Sequence, residues 1–147
     1  MKIKLNMDRF SRQYQEAQYL LDGMVMDSMV PFMPMISGDF INKTRARSSS
    51  MQGTGFVCAA AEPYGRFLYM GKTMVDELTG SPYARQYAKK VLVSQFSGQT
   101  AAKENLEYTK QAHPRAQAKW FDAAKRQYGS TWIRKVKAQA GGGRHGR

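Results

Sequence analysis

The side chains best suited to chemistry in this sequence are one cysteine and two histidines, Cys58, His113 and His145. A structural zinc site needs about four such ligands at short spacings, and these three lie far apart, so they do not predict one. The surroundings of Cys58, GFVCAAA, indicate a small residue in a buried strand rather than a reactive thiol. We expect neither a metal nor a cofactor.

Other catalytic arrangements are also missing from the sequence. General acid–base catalysis uses paired carboxylates, whereas the 11 Asp and Glu residues are scattered along the chain. His113 directly precedes Pro114, a position more typical of a helix cap or a surface residue than of a general base. The GTG at 53–55 lacks the Lys-Ser/Thr pair and the helix start of a phosphate-binding loop. The sequence therefore predicts a protein that is not an enzyme.

The net charge of +12 is concentrated near the C-terminus. Residues 101–147 contain eleven bases and three acids, while residues 1–30 contain four of each. Such a basic region indicates a nearby polyanion, either nucleic acid or an acidic protein surface; a solvated helix face with a basic tail kept for solubility fits equally well.

The N-terminal third predicts a long amphipathic helix. A short strand is possible at KIKLN, and Asp8 is a suitable N-cap for a helix over 8–30 that ends before Pro31. One face of this helix carries residues at steps of four and three, namely Phe10, Tyr14, Ala17, Leu21, Met24 and Ser28.

The middle of the chain predicts extended structure. From Ile41 onward an extended segment leads into a hairpin loop or mobile arm at 42–55, and 55–62 predicts a strand that pairs with it against the first helix. RFLYMGK indicates a short helix closed by Gly71, DELTGSPY an exposed turn, and the end of YARQYAKKVLVSQF an extended segment.

The C-terminal third predicts a helix over 114–139, either continuous or joined at Gly129, with Pro114 in its first turn. Trp120, Phe121, Trp132 and Ile133 fall on its apolar face, which favours a core position over a base-stacking surface. We expect one α+β domain at 1–140, with a small antiparallel or mixed sheet packed against N-terminal and C-terminal helices, long extended loops, and a flexible basic tail at 141–147.

Three runs of the sequence carry a resemblance to a known family. They are VPFMPMISGDFI, PYGRFLYMGKTMVDELTGSPYARQYAKKVL and LEYTKQAHPRAQAKWFDAAKR. Over about residues 5–137 the chain resembles minor capsid proteins of long-tailed bacteriophages of Gram-positive hosts, which are similar to head–tail connector and tail-completion proteins. The likeness rests on the order and spacing of Pro31, Gly38, Tyr64, Tyr69, Gly71, Val75, Asp76, Gly80, His113, Pro114, Trp120 and Phe121.

The resemblance implies a structural virion protein of the phage neck, made in the host cytoplasm. Such a subunit would join a homo-oligomeric ring of roughly six or twelve copies between the portal side of the capsid and the tail, through which DNA passes. Its partners would be other neck proteins: an adaptor, a head-closure protein, a tail terminator or the tail tube. No membrane contact is expected.

Within this interpretation, the segment 64–90 is an inter-subunit loop, because tyrosine and arginine supply large contact areas and directional hydrogen bonds. The predicted interface residues are Tyr64, Arg66, Tyr69, Tyr83, Arg85 and Tyr87. The bases predicted to face the DNA channel or an acidic rim of the next ring are Lys125, Arg126, Lys135, Arg144 and Arg147. The alternative function is a small nucleic-acid-binding protein that uses its basic C-terminal helix.

Overall fold

The described part of the chain, residues 7–62, 64–83 and 85–141 of a computed structural model, contains helices, one small sheet and long irregular segments. The helices are α1 (Met7–Met29), α2 (Asp39–Met51), α3 (Gly65–Met70) and α4 (Trp120–Ala140), with 3₁₀ turns at Val30–Phe32 and Val93–Gln95. The strands β1 (Met74–Asp76) and β2 (Lys90–Leu92) pair antiparallel, with Val75 opposite Val91. The predicted α+β class is confirmed.

The first and last helices pack against each other and run antiparallel. Trp132 Nε1–H donates to Ser28 Oγ at 3.1 Å, and Gln139 Nε2–H donates to Glu16 Oε2 at 3.1 Å. The residue number therefore rises along α4 as it falls along α1. This pairing confirms both helices, although each prediction differs at its ends.

The core is centred on Trp120, whose side chain is completely buried at the start of α4. Its indole N–H donates to the Ala59 carbonyl oxygen at 2.7 Å. The rings of Phe40 and Tyr69 meet it edge-on, with centroids 5.9 and 4.9 Å away. Such edge-to-face contacts add to the stability gained from burial. The other buried members of this cluster are Val25, Met26, Met29, Phe32, Met33, Ile41, Ala123, Ala124 and Trp132.

The extended segment and mobile arm predicted after Ile41 are wrong, because residues 39–51 form α2. Gly38 precedes this helix with φ +87°, a conformation that glycine adopts at little cost. Ile41, Thr44 and Ser48 lie on the buried face. Their spacing of three and four is helical. Two of the three residues are polar, so a search for periodic apolar residues does not detect this helix.

The strand predicted at 55–62 is also wrong, and this segment is irregular. Its backbone polar groups bond to side chains of α2 instead of to a second strand. Ser48 Oγ donates to the Cys58 carbonyl oxygen and accepts from the Cys58 N–H, both at 3.0 Å, and Thr44 Oγ1 accepts from the Ala61 N–H at 3.2 Å. Cys58 is thus a half-buried free thiol outside any strand.

The C-terminal helix begins at Trp120, six residues after the predicted Pro114, and continues through Gly129. The residues before it are tied individually to the core. His113 Nδ1–H donates to the Met33 carbonyl oxygen at 2.8 Å, and the Gln117 N–H donates to the Phe32 carbonyl oxygen at 3.0 Å. In the segment before Trp120, hydrogen bonds to the core take the place of the helical turns that the sequence predicted.

The strand predicted at KIKLN lies outside the described residues, as does the predicted tail at 141–147 apart from Gly141. In the part of the chain that the structure describes, no helix has the length and apolar character needed to cross a bilayer.

Candidate functional site

The loop between β1 and β2 is organised by the buried carboxylate of Asp76. Its Oδ1 accepts from the N–H groups of Leu78 and Thr79 at 2.8 and 3.2 Å, which is an Asx turn. Its Oδ2 accepts from the N–H of Arg85 at 3.2 Å, on the far side of the loop. One side chain therefore fixes both halves of the connection.

The guanidinium of Arg85 completes this arrangement. Its Nε donates to Asp76 Oδ2 at 3.0 Å and its Nη2 donates to Oδ1 at 3.3 Å, so the pair is bidentate. The Arg85 hydrogen bonds, followed by the backbone N–H donors, hold the pKa of Asp76 far below its ordinary value. The hydrogen bonds between the Arg85 side chain and Asp76 also raise the pKa of Arg85. Both groups stay charged at neutral pH.

Gly80 is a further fixed point of the loop. It has φ +68°, and a Cβ there would lie 2.3 Å from the Phe96 ring. Its N–H donates to the Asp76 carbonyl oxygen at 2.9 Å, and its own carbonyl oxygen accepts from Thr100 Oγ1 at 2.7 Å. A larger residue would separate the loop from the segment that follows β2.

This anchored loop holds two tyrosines in solvent. Tyr83 is 88% exposed and Tyr87 is 96% exposed. Tyr87 also has φ +62°, which is uncommon and unfavourable for a residue with a side chain. Backbone strain of this kind persists only where the surrounding structure enforces it, and it concentrates at functional sites.

Tyr64 and Lys90 extend the exposed aromatic surface beside the loop. The Lys90 ammonium lies 5.9 Å from the centroid of the Tyr64 ring and donates to the Pro82 carbonyl oxygen at 3.3 Å. Both residues line an open depression of about 540 Å³, which we call the tyrosine groove. It is lined by Tyr64, Phe67, Met74, Pro82, Tyr83, Arg85, Tyr87, Ala88 and Lys90.

Four of the predicted interface residues meet in the tyrosine groove, and two do not. Arg66 and Tyr69 line a different depression, beside Met70. The ring of Tyr69 packs on Trp120, and burial, followed by the charge of Asp122, raises its pKa. Tyr69 therefore serves the core of its own chain, and we remove it from the proposed contact.

The predicted basic residues do not form one surface. Lys125, Arg126 and Lys135 are exposed on α4. Successive helix positions differ by about 100°, so Lys125 and Arg126 point in different directions and Lys135 points in a third. Arg144 and Arg147 lie outside the described residues.

The residues that the sequence offered for chemistry make hydrogen bonds within the fold. The 53–55 loop directs the N–H groups of Gly53 and Gly55 to the buried carboxylate of Asp22, at 2.8 and 3.1 Å. His113 binds the Met33 carbonyl oxygen and is not a helix cap. Within the described ranges, no three His, Cys, Asp or Glu side chains are grouped so that they could hold a metal ion.

Asp76 is the important residue whose role the sequence analysis did not identify. DELTG was interpreted as an exposed turn, but Asp76 is fully buried. An Asp followed two to four residues later by Leu-Thr-Gly is typical of an Asx turn, and this signal was present. The pairing with Arg85, nine residues away, has no comparable signal.

Comparison of the chain with protein-family models, with curated proteins and with solved structures finds no match.

Proposed function

We propose that this chain is a structural subunit of a bacteriophage neck that assembles into a ring and contacts other neck proteins. The observation that carries the proposal is the anchored loop, in which the buried carboxylate of Asp76, paired with the partly exposed Arg85, fixes the backbone that carries the exposed Tyr83 and Tyr87. Aromatic side chains held rigidly at a surface lose little conformational entropy when a partner covers them. The sequence resemblance to minor capsid proteins supports the same function.

The tyrosine groove is the proposed contact with the neighbouring subunit. In a closed ring one copy presents the surface and the next copy presents its complement, so a single contact is repeated around the channel. Tyr64, Tyr83, Arg85 and Tyr87 remain in this proposal, with Lys90 and Pro82 added from the geometry. Arg85 contributes mainly by fixing the loop.

The test is the particle mass of the purified chain by light scattering, at several concentrations. The double variant Tyr83→Ala/Tyr87→Ala should lose assembly and keep the circular dichroism and melting temperature of the wild type, because neither side chain is buried. The matched control Phe10→Ala/Tyr14→Ala removes two exposed aromatic residues from α1. Assembly of the loop variant at wild-type levels would contradict the proposal.

The alternative, nucleic-acid binding by α4, is supported by the exposure of Lys125, Arg126 and Lys135. It predicts that the monomer binds duplex DNA and that binding weakens steeply as salt increases. The same light-scattering experiment with added DNA separates the two functions. A monomer that shifts onto DNA favours the alternative, and a ring that ignores DNA favours the neck subunit.

A further inference from the structure

A second exposed surface of the protein is an apolar groove between α1 and α4. Leu21 and Val25 contribute from α1, and α4 supplies the other side of a depression of about 490 Å³. The α4 residues that line it are Phe121, Lys125, Gly129, Trp132, Ile133, Val136 and Lys137. We call this surface the helix groove. It shares no residue with the tyrosine groove.

Gly129 lies in the helix groove without a structural reason inside its own chain. Glycine in a helix interior is destabilising relative to alanine. A Cβ at this position would meet only the Lys125 Cγ, at 3.6 Å, which is an ordinary contact. A helical glycine that its own fold does not require is expected where another backbone approaches closely. Ile133, one turn further along, is a large apolar side chain left 57% exposed.

The charges around the helix groove select the kind of partner. Lys125 and Lys137 both line it, about 18 Å apart along the axis of α4 at 1.5 Å per residue. Lysine stems pack on apolar surfaces while their ammonium groups remain in water. No acidic side chain of the described chain lines the groove. An apolar surface lined by two cations and no acid is complementary to an apolar surface flanked by carboxylates.

We propose that the helix groove binds an acidic amphipathic helix of a partner protein. The apolar face of that helix would cover Ile133 and Val136 and pass close to Gly129, and its carboxylates would meet Lys125 and Lys137. A symmetric contact with the same groove of a second copy is unfavourable, because it would bring the Lys125 and Lys137 of both copies together without a carboxylate in the lining. Nucleic acid suits it poorly because the surface between the two lysines is apolar. This inference does not depend on the neck assignment.

The first test uses two designed helical peptides of about five turns with the same leucine face, one flanked by Glu and the other by Lys. Binding to the full chain is followed by fluorescence anisotropy of the labelled peptide. The acidic peptide should bind at least about tenfold more tightly than the basic one. Equal affinities, or no binding of the acidic peptide, would overturn the proposal.

Variants locate the binding surface. Ile133→Glu should weaken binding of the acidic peptide about tenfold or more, with little effect on the melting temperature because Ile133 is exposed. Gly129→Ala should raise the melting temperature but weaken binding, since the added methyl group favours the helix and obstructs the approach. If Gly129→Ala and Ile133→Glu both bind like the wild type, the groove is not the binding site.

A charge-matched pair separates local from long-range electrostatics. Lys125→Glu/Lys137→Glu should lose the preference for the acidic peptide, whereas Arg134→Glu/Lys135→Glu, with the same change in net charge outside the groove, should keep it. Equal losses in both doubles would show attraction to net charge alone and would overturn the proposal. The proposal would also be overturned if duplex DNA displaced the acidic peptide, or if the wild type formed a dimer that Ile133→Glu dissociates.

Discussion

At the residue scale, Asp76 is the group on which the proposed contact surface depends most. It is buried, it is charged, and its carboxylate binds backbone N–H groups on both sides of a thirteen-residue connection, 77–89. A buried charge is tolerated only when it is paired and hydrogen-bonded, and Asp76 satisfies both conditions through Arg85. The exposed tyrosines therefore depend on an ionised carboxylate.

This dependence predicts how stability changes with pH. The folded-state pKa of Asp76 lies below its ordinary value of 3.8, so its contribution to stability is complete above that value and is lost as the pH falls through the folded-state pKa. We expect the melting temperature to decrease as the pH is lowered from about 5 to about 2.

Asp76→Asn gives the sharpest check of that prediction. The variant should melt at a lower temperature than the wild type at pH near 5, and the two should converge at low pH because asparagine does not titrate. The control Asp27→Asn removes an exposed carboxylate that pairs with Arg45, and it should keep the wild-type pH dependence. If Asp76→Asn kept that dependence too, another group would be responsible.

At the element scale, α2 substitutes for the strand partner that the sequence predicted. Hydroxyl groups of Thr44 and Ser48 bind the backbone of the 57–61 segment, and the Trp120 indole binds the same segment from the other direction. An irregular segment can be buried only if its polar backbone groups find partners. Here the partners are side chains, so the segment needs no sheet.

Thr44→Val tests this arrangement. Valine has nearly the same shape but leaves the buried N–H of Ala61 without its acceptor, so we expect a loss of about 1–3 kcal/mol in the free energy of unfolding. Urea denaturation measures the change. The control Ser50→Ala removes an exposed hydroxyl of the same helix, which bonds only to the Arg47 carbonyl oxygen, and should be close to neutral. A neutral Thr44→Val would mean that the N–H finds another acceptor.

At the scale of the whole molecule, Trp120 joins segments that are distant in the sequence. It contacts Phe40 of α2, Tyr69 of α3 and the carbonyl oxygen of Ala59, while its own helix packs along α1. The two proposed contact surfaces are formed by different elements: the tyrosine groove by α3 and the β1–β2 hairpin, and the helix groove by α1 and α4. Loss of Trp120 should therefore weaken both.

We expect Trp120→Ala to lower the free energy of unfolding by about 3–5 kcal/mol, because it creates a large cavity and leaves the Ala59 carbonyl oxygen without its donor. Urea denaturation followed by far-ultraviolet circular dichroism should still show one transition. The control Ile133→Ala shortens an exposed side chain of the same helix and should change stability little. A cost below that range would show that the elements are stabilised independently of Trp120.

Features that depend on local pattern can be read from the amino-acid sequence alone. Apolar residues at helical spacing predicted α1 and the body of α4, Gly71 predicted the end of α3, and the β-branched residues near Val91 predicted an extended segment. Propensity and periodicity act over a few residues, so a single sequence is enough to reveal them. Trp120, Phe121, Trp132 and Ile133 were expected in the core for the same reason; Trp120 and Trp132 are buried, whereas Ile133 is exposed.

The partners of the buried polar groups become visible only once the chain is folded. Asp76 with Arg85, Thr44 with Ala61, and Asp22 with the loop at 53–55 are pairings between residues 9 to 33 positions apart. The bond between Thr44 and Ala61 gives the irregular segment at 55–62 a partner in place of a strand, and the Asp76–Arg85 pair fixes the loop that carries three of the four interface residues in the tyrosine groove. A buried polar group must be satisfied, but its sequence neighbours do not specify which distant group will satisfy it.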